Sequence, residues 1–200
     1  MKILAKKTVV LLIGFMLLPL VGCAGKKTTE SFLRPEFDIT FVQKVAVLPF
    51  EDPSGNPVLA ARCRQITITQ ILSSGLFDVV DKMQVDSVLQ DLALPAGTPI
   101  DASTLRRMGQ LLGVQGFIVG SLDDAAESRK GASAFLELSL TMRLIDSESG
   151  LVVWQATGRG SGYSLWDRLF GTASKDSFQV TLELIQNLLG TMGRQPDVNT

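Results

Sequence analysis

The strongest constraint on the fold is an alternation of apolar and polar side chains over residues 136–144. A period of two is typical of a β-strand with one buried face and one face in water. Turn residues at 146–150 then lead into a second apolar run, residues 151–155, which predicts an antiparallel hairpin. The chain must therefore build a sheet whose one side is covered. The apolar members are Leu136, Leu138, Leu140, Met142 and Leu144, and between them lie Glu137, Ser139, Thr141 and Arg143.

Other segments add strands and helices to this hairpin. Pro57 begins a predicted helix that Gly75 ends, and Ser103 is predicted to cap a helix that Gly113 ends. A polar stretch, residues 123–133, leads into the alternating strand. The element order is β-α-β-α-α-β-β-β-α, which predicts a single α/β domain with a mixed sheet and helices packed on it. The further predicted strands are 44–50, 77–80 and 116–122, and the helices are 57–74, 85–92, 103–112 and 175–192.

The beginning of the chain has the pattern of a secretion signal. Three lysines precede an apolar run at residues 9–18 that is too short to span a bilayer. The segment Leu20-Val21-Gly22-Cys23 then resembles the bacterial lipobox, in which the cysteine is acylated and exposed by cleavage. The alternative is an ordinary signal peptide with an incidental cysteine. Ala24 follows in place of the Asp that retains lipoproteins in the inner membrane, which favours the outer membrane.

These features divide the chain into four parts. Residues 1–22 are predicted to be the signal peptide, and residues 23–41 the lipidated cysteine with a flexible tether. Residues 42–193 are predicted to form the periplasmic domain, and residues 194–200 a disordered tail. Two or more acyl chains, at about 0.8 kcal/mol per buried CH₂, would hold Cys23 durably in a membrane.

Charge and cysteine content exclude several classes of protein. Residues 1–22 carry three lysines and no acidic residue, so the rest of the chain has 16 basic and 20 acidic side chains and a net charge of −4. This balance does not indicate nucleic-acid binding. With Cys23 acylated, Cys63 is the one remaining thiol, which excludes an internal disulfide. Cys63 shares an apolar helical stripe with Leu59 and Ile66, so we expect a buried, unreactive thiol.

Catalytic chemistry is difficult to place in this sequence. The chain has no histidine and no signature around a serine nucleophile, so we expect neither an enzyme nor a metal or cofactor site. The acidic pairs Glu51-Asp52 and Asp123-Asp124 fall in predicted turns, where solvated carboxylates are ordinary. The glycine-rich residues 158–162 lack dinucleotide-binding spacing and are predicted to be a flexible exit loop.

Two apolar patterns near the end of the chain are candidate partner contacts. Trp166, Leu169 and Phe170 would form a patch on one helical turn; the alternative is that they cover the end of the core. The last helix carries one apolar stripe that we expect to face the sheet, made of Phe178, Leu182, Ile185, Leu189 and Met192. It also carries a second row, Val180, Leu184 and Leu188, which we expect to contact a partner or another subunit. The alternative for that row is a wide core groove.

Several of these segments together resemble a known family. After the lipobox, residues 45–50, 76–81, 111–121 and 144–150 resemble, in order and spacing, the curli-secretion CsgG family. That family shares its α/β domain with LpoB-like activators of penicillin-binding proteins. The resemblance covers about residues 42–192. It implies a periplasmic domain on an outer-membrane anchor that acts by protein contact rather than by catalysis.

The resulting expectation is a non-enzymatic outer-membrane lipoprotein. It would be an accessory or activator of wall synthesis, or of a secretion or surface-organelle complex. The membrane is contacted through acyl chains on Cys23, and the partner is an envelope protein or further copies of the chain. The alternative is a ring-forming subunit of a CsgG-type secretion channel.

Overall fold

The computed structural model describes residues 29–95, 100–130, 133–163 and 175–193. In these ranges the chain forms a six-stranded mixed sheet with four α-helices packed on it, which confirms the predicted fold class. A short 3-10 helix lies at Ile39–Phe41. In chain order the strands and helices are β1 (Thr29–Leu33), β2 (Lys44–Val47), α1 (Pro57–Ser74), β3 (Asp78–Val79), α2 (Lys82–Asp91), α3 (Ala102–Leu112), β4 (Gly116–Lys130), β5 (Ser133–Asp146), β6 (Val152–Ser161) and α4 (Ser177–Leu189).

The strands lie in the order β1-β6-β5-β4-β2-β3. Strand β2 pairs in parallel with both β3 and β4, since helices connect these strands. Strands β4, β5, β6 and β1 form antiparallel pairs. From β2 onward the observed order of elements is the predicted one.

Strand β1 is the largest departure from the predicted organisation. It lies within residues 23–41, which were expected to be a flexible tether, and it pairs with β6 from Thr29↔Gly158 to Leu33↔Trp154. Leu33 packs against the buried core, and Arg34 N continues the pairing by donating to Val153 O at 2.9 Å. Backbone pairing with an existing strand therefore orders a segment whose own sequence is mostly polar.

Two strands extend into segments that were predicted to be irregular. Residues 123–130, expected to be a polar connection, continue β4 as an antiparallel partner of β5. The register shifts between Leu122 and Asp124, so Asp123 is a bulge residue. Residues 158–161, expected to be a flexible loop, continue β6. A polar or glycine-rich strand is stable here because a neighbouring strand satisfies its backbone groups.

The core has two layers, one on each face of the sheet. Helices α1 and α4 cover one face together with the apolar side of β4, β5 and β6. The alternating residues Leu138, Leu140, Met142 and Leu144 all lie in this layer and are buried, as predicted. Helices α2 and α3 cover the other face, but only over β2, β3 and the first part of β4.

A buried arginine joins three of these elements. Arg64 of α1 is 4% exposed and donates from Nε and Nη2 to Val47 O, at 3.0 and 2.9 Å. Its Nη1 donates to Asp86 Oδ1 of α2 at 2.7 Å. Because a buried charge needs both a counter-ion and hydrogen bonds, this arrangement fixes the end of β2 relative to both helices.

The free thiol follows the sequence-based expectation. Cys63 is fully buried in the layer that includes Leu59 and Ile66. Burial raises the pKa of the Cys63 thiol to about 12. The thiol is therefore protonated at neutral pH and unreactive.

The helix ends follow from capping side chains. Asn56 Oδ1 accepts from Leu59 N at 3.1 Å before Pro57, and Gly75 ends α1 in the left-handed region at φ 65°. The cap of helix α3 lies two residues earlier than expected, because Asp101 rather than Ser103 is the cap. The Asp101 carboxylate accepts from the backbone N–H groups of Ser103 and Thr104 and from both hydroxyls.

The Asp101 cap makes stability depend on pH. Hydrogen bonds from the Ser103 and Thr104 side chains hold the pKa of Asp101 well below its ordinary value. A lowered folded pKa contributes stability above the unfolded pKa of about 3.9, and this contribution is lost as the pH falls toward the folded value. We therefore expect Asp101→Ala to lower the thermal unfolding midpoint at neutral pH, by an amount that shrinks below about pH 4.

Thermal melts of wild type and Asp101→Ala between about pH 7 and pH 3 measure this difference. Asp101→Asn is the matched control, because asparagine still caps a helix but does not titrate. A gap between wild type and Asp101→Ala that is unchanged across this range would contradict the assignment.

Candidate interaction surface

A large part of the sheet is left without a helix. Helices α2 and α3 reach only as far as Val119 of β4 and Ile145 of β5. Beyond them most side chains on the same face of β4, β5, β6 and β1 are exposed or half-exposed, although Ser121 is buried. We call this surface the open face. Its residues are Glu30 and Phe32 of β1, Asp123 and Asp124 of β4, Glu137, Ser139, Thr141 and Arg143 of β5, and Gln155, Thr157 and Arg159 of β6.

The open face is polar and its side chains are connected to one another. Thr141 Oγ1 donates to Asp123 Oδ2 at 2.6 Å and lies 2.9 Å from Thr157 Oγ1 on the neighbouring strand. Arg143 Nη2 lies 3.7 Å from Glu51 Oε1. These contacts hold hydroxyl and charged groups in fixed positions on a rigid sheet, which is a suitable basis for specific contact with another protein.

The structure brings together residues of the two acidic pairs that the sequence singled out. Glu51 N donates to Gly120 O, and Glu51 O accepts from Leu122 N, so Glu51 lies beside the Asp123 bulge. Asp52 instead accepts from Ser54 Oγ within its own turn. Among the described residues, no group of three or more His, Cys, Asp and Glu side chains could hold a metal ion. Glu51 contacts Arg143 and Asp123 contacts Thr141, so Asp123 forms part of the polar open face and Glu51 borders it.

The second apolar row of the last helix does not face outward. Val180, Leu184 and Leu188 are 3%, 4% and 0% exposed and pack on the chain's own sheet. Gly158 and Gly160 explain how α4 approaches so closely. A Cβ added at Gly158 would lie 3.0 Å from Leu184 Cδ1, and one at Gly160 would lie 3.1 Å from Val180 Cγ1. This burial is contrary to the expected partner contact and agrees with the alternative of a wide core.

The expected inner stripe of α4 is divided. Ile185, Leu189 and Met192 are buried as predicted, whereas Phe178 is exposed and Leu182 is only partly buried. Because α4 packs against both β6 and α1, two rows of its surface are covered at once. A helix placed between a sheet and a second helix needs a wider apolar face than one placed on a sheet alone.

Four of the predicted site residues lie outside the described part of the chain. These are Cys23, the predicted lipidation site, and Trp166, Leu169 and Phe170, the predicted apolar patch. The ends of the segment that carries the patch are close together, because Lys175 N donates to Gly162 O at 2.9 Å. Within the ranges that the structure describes, no helix combines the length and apolar character needed to cross a membrane.

Sequence reasoning missed the aromatic residue of the open face. Phe32 of β1 is 46% exposed on the open face, and the Arg34 guanidinium lies over its ring at 5.9 Å from the centroid. The segment is too short for a reliable period, and only Phe32 and Leu33 are apolar in it. A Phe-Leu pair followed by Pro35 was the available signal for an edge strand.

Residues 64–159 match the protein-family model described as peptidoglycan-synthase activator LpoB. No curated protein matches the chain. The family match supports the LpoB-like part of the resemblance drawn from the sequence, and it does not support the CsgG-like part.

Two solved structures of low sequence identity share the fold. The PelC dodecamer from Paraburkholderia phytofirmans is 19% identical with a TM-score of 0.57, covering 84% of this chain and 99% of that chain. Lipoprotein GNA1162 from Neisseria meningitidis is 15% identical with a TM-score of 0.54, covering 76% of this chain and 99% of that chain. A weaker similarity is to the LpoB C-terminal domain from Escherichia coli, which is 17% identical with a TM-score of 0.44. The match covers 72% of this chain and 91% of that chain.

The burial of the second row of α4 leads to a test by mutation. We expect Leu188→Ala to lower the free energy of unfolding by about 2–5 kcal/mol, because it opens a cavity against β6. Asn187→Ala, at the neighbouring exposed position, should change it by less than about 0.5 kcal/mol. Urea unfolding followed by circular dichroism measures both. Equal and small effects would mean that Leu188 lies outside the core.

Proposed function

We propose that this chain is an LpoB-like lipoprotein of the outer membrane that activates a peptidoglycan synthase by direct contact in the periplasm. The observation that carries the proposal is the match of residues 64–159 to the family of peptidoglycan-synthase activators. In this proposal the chain is an accessory protein and the catalysis belongs to the enzyme that it contacts.

The position of the open face supports contact through this surface. The matched range begins at the buried Arg64 and ends at Arg159 of β6. It therefore contains every residue of the open face except Glu30 and Phe32 of β1. The part of the chain that resembles an activator is thus also the part that presents a broad, uncovered sheet surface.

The chemistry of the open face fits a partner that binds reversibly. Interfaces between proteins that also exist apart are about as polar as the rest of the surface, and charged and hydroxyl groups fix their register. The open face carries four acidic residues and two arginines. A synthase surface with excess positive charge is complementary to it, and salt would weaken the contact.

The anchor at Cys23 is part of the proposal. Strand β1 begins at Thr29, so only residues 24–28 separate Cys23 from the sheet. At no more than about 3.3 Å per residue, this connection spans at most about 20 Å. With Cys23 in the bilayer, the sheet edge would stay near the membrane surface, and the synthase would have to present its contact region there.

Self-assembly is the second candidate. The PelC structure is a dodecamer and shares this fold over nearly its whole chain. A native mass corresponding to many copies, measured in mild detergent, would favour a ring, and a native mass of one or two copies would remove it.

Substitutions on the open face test the activator proposal. We expect the double variant Ser139→Arg with Gln155→Arg to reduce the stimulation of a purified synthase by at least about tenfold, because two large cations would enter the contact. Both side chains are half-exposed on neighbouring strands, so the fold should persist. The measurement is glycan polymerisation by the synthase of the same cell, with and without the full chain.

The matched control is Gln110→Arg, which makes the same change at an exposed position of α3. It should stimulate like wild type. Failure of the wild-type chain to stimulate any synthase of its cell would refute the proposed function, and equal stimulation by the double variant would refute the open face as the contact.

Cys23→Ser tests the anchor separately. Produced with its own signal in a bacterial envelope, the wild-type chain should yield a product that begins at Cys23 and carries acyl chains, and it should sediment with membranes. The variant should carry no acyl chains, because serine provides no thiol for acylation. Intact-mass spectrometry of both products shows where each begins and whether it carries acyl chains. An unmodified wild-type product that begins at Met1 would contradict the anchor.

A further inference from the structure

Strand β1 leaves one edge of its backbone without a partner among the described residues. It is the outermost strand at its end of the sheet, with β6 as its neighbour on one side. Glu30, Ser31 and Phe32 are exposed. An open edge presents N–H and C=O groups that can pair with another strand.

The phase of the β1–β6 pairing determines which groups point outward. Arg34 N donates to Val153 O, so residue 34 uses its backbone groups toward β6. Backbone groups alternate along an antiparallel pair, so Phe32 and Glu30 also face β6. The N–H and C=O groups of Ser31 and Leu33 therefore point away from the sheet and are available to a further strand.

The side chains along this edge are complementary to themselves. Glu30 and Arg34 lie two residues to either side of Phe32, and all three alternate positions share the open face. If two copies of β1 pair antiparallel around Phe32, each Glu30 lies opposite the partner's Arg34. Ser31 then lies opposite the partner's Leu33, which gives four backbone hydrogen bonds, and the two Phe32 rings meet at the centre.

Neighbouring registers lack this complementarity. Shifting by two residues in one direction places Glu30 opposite the partner's Phe32 and removes both ion pairs. Shifting in the other direction places Glu30 opposite the partner's Glu36 and Ser31 opposite the partner's Pro35, which has no N–H. The charge pairs therefore favour the register centred on Phe32 over the first alternative, and charge and hydrogen bonding together favour it over the second.

We infer that β1 pairs antiparallel with β1 of a second copy, centred on Phe32, which joins two six-stranded sheets into one. The two-fold axis of such a pair is perpendicular to the sheet, so both open faces lie on the same side. The dimer therefore doubles the continuous surface available for contact. This inference goes beyond the proposed function, because the pairing needs no synthase.

Disulfide trapping in the full-length chain tests this arrangement. Phe32→Cys places two thiols directly opposite each other in a non-hydrogen-bonded pair, where Cβ atoms are about 4.5–5.5 Å apart and close to disulfide geometry. Oxidation with copper phenanthroline should convert this variant to a covalent dimer on a non-reducing gel. Glu30→Cys, on the same strand and face, lies opposite residue 34 and should stay at the wild-type background.

A mixture of two cysteine variants provides a positive control for the Glu30→Cys result. Glu30→Cys and Arg34→Cys chains should each remain monomeric but form a mixed dimer when oxidised together. Equal trapping of Glu30→Cys and Phe32→Cys, or a Phe32→Cys signal no stronger than wild type, would overturn the inference.

Charge exchange tests the same register without thiols. Glu30→Arg alone places two arginines opposite each other, and Arg34→Glu alone places two acids opposite each other, so each should lose the dimer in analytical ultracentrifugation. A mixture of the two variants restores both opposite-charge pairs and should restore the dimer. A wild-type chain that stays monomeric at every concentration would refute the pairing, whether or not it stimulates a synthase.

Discussion

Unequal coverage of the two sheet faces is the constraint on which this structure depends. Helices α1 and α4 cover one face along most of its width, whereas α2 and α3 cover only the end formed by β2, β3 and the start of β4. The remaining strands can be stable only if their uncovered side is polar, which the alternation in β5 provides. The open face is thus a consequence of how few helices the chain places there.

The order of elements was predictable because its signals are local. Alternation in β5, the proline and glycine at the ends of α1, and Gly113 after α3 each depend on nearby residues. Strand β1 and the glycine-rich end of β6 were missed, and the burial of Leu184 was left open as the alternative, because each depends on a distant partner. Gly158 and Gly160 were predicted to lie in a loop. They lie in β6 instead, where the missing side chains leave space for α4 to pack closely.

The candidate site was predictable only in part for the same reason. Sequence reasoning identified Glu51 and Asp123 as acidic residues in turns. Their proximity could not be predicted, because it depends on pairing between Glu51, which follows β2 in the chain, and β4. The contacts of Thr141 with Thr157 and Asp123 could not be predicted, since an isolated threonine on a strand is ordinary. The absence of histidine, in contrast, can be read directly from the sequence and favours a role through contact surfaces.

Strand β1 also determines how mechanical load would enter the domain. It is the first strand of the described chain and lies at the sheet edge, so tension from a membrane anchor would act on its hydrogen bonds to β6 before any other. Pulling along the strand axis loads those bonds together in shear, whereas pulling across the sheet opens them one after another from Thr29. The direction of the pull would therefore decide whether the edge resists or unzips.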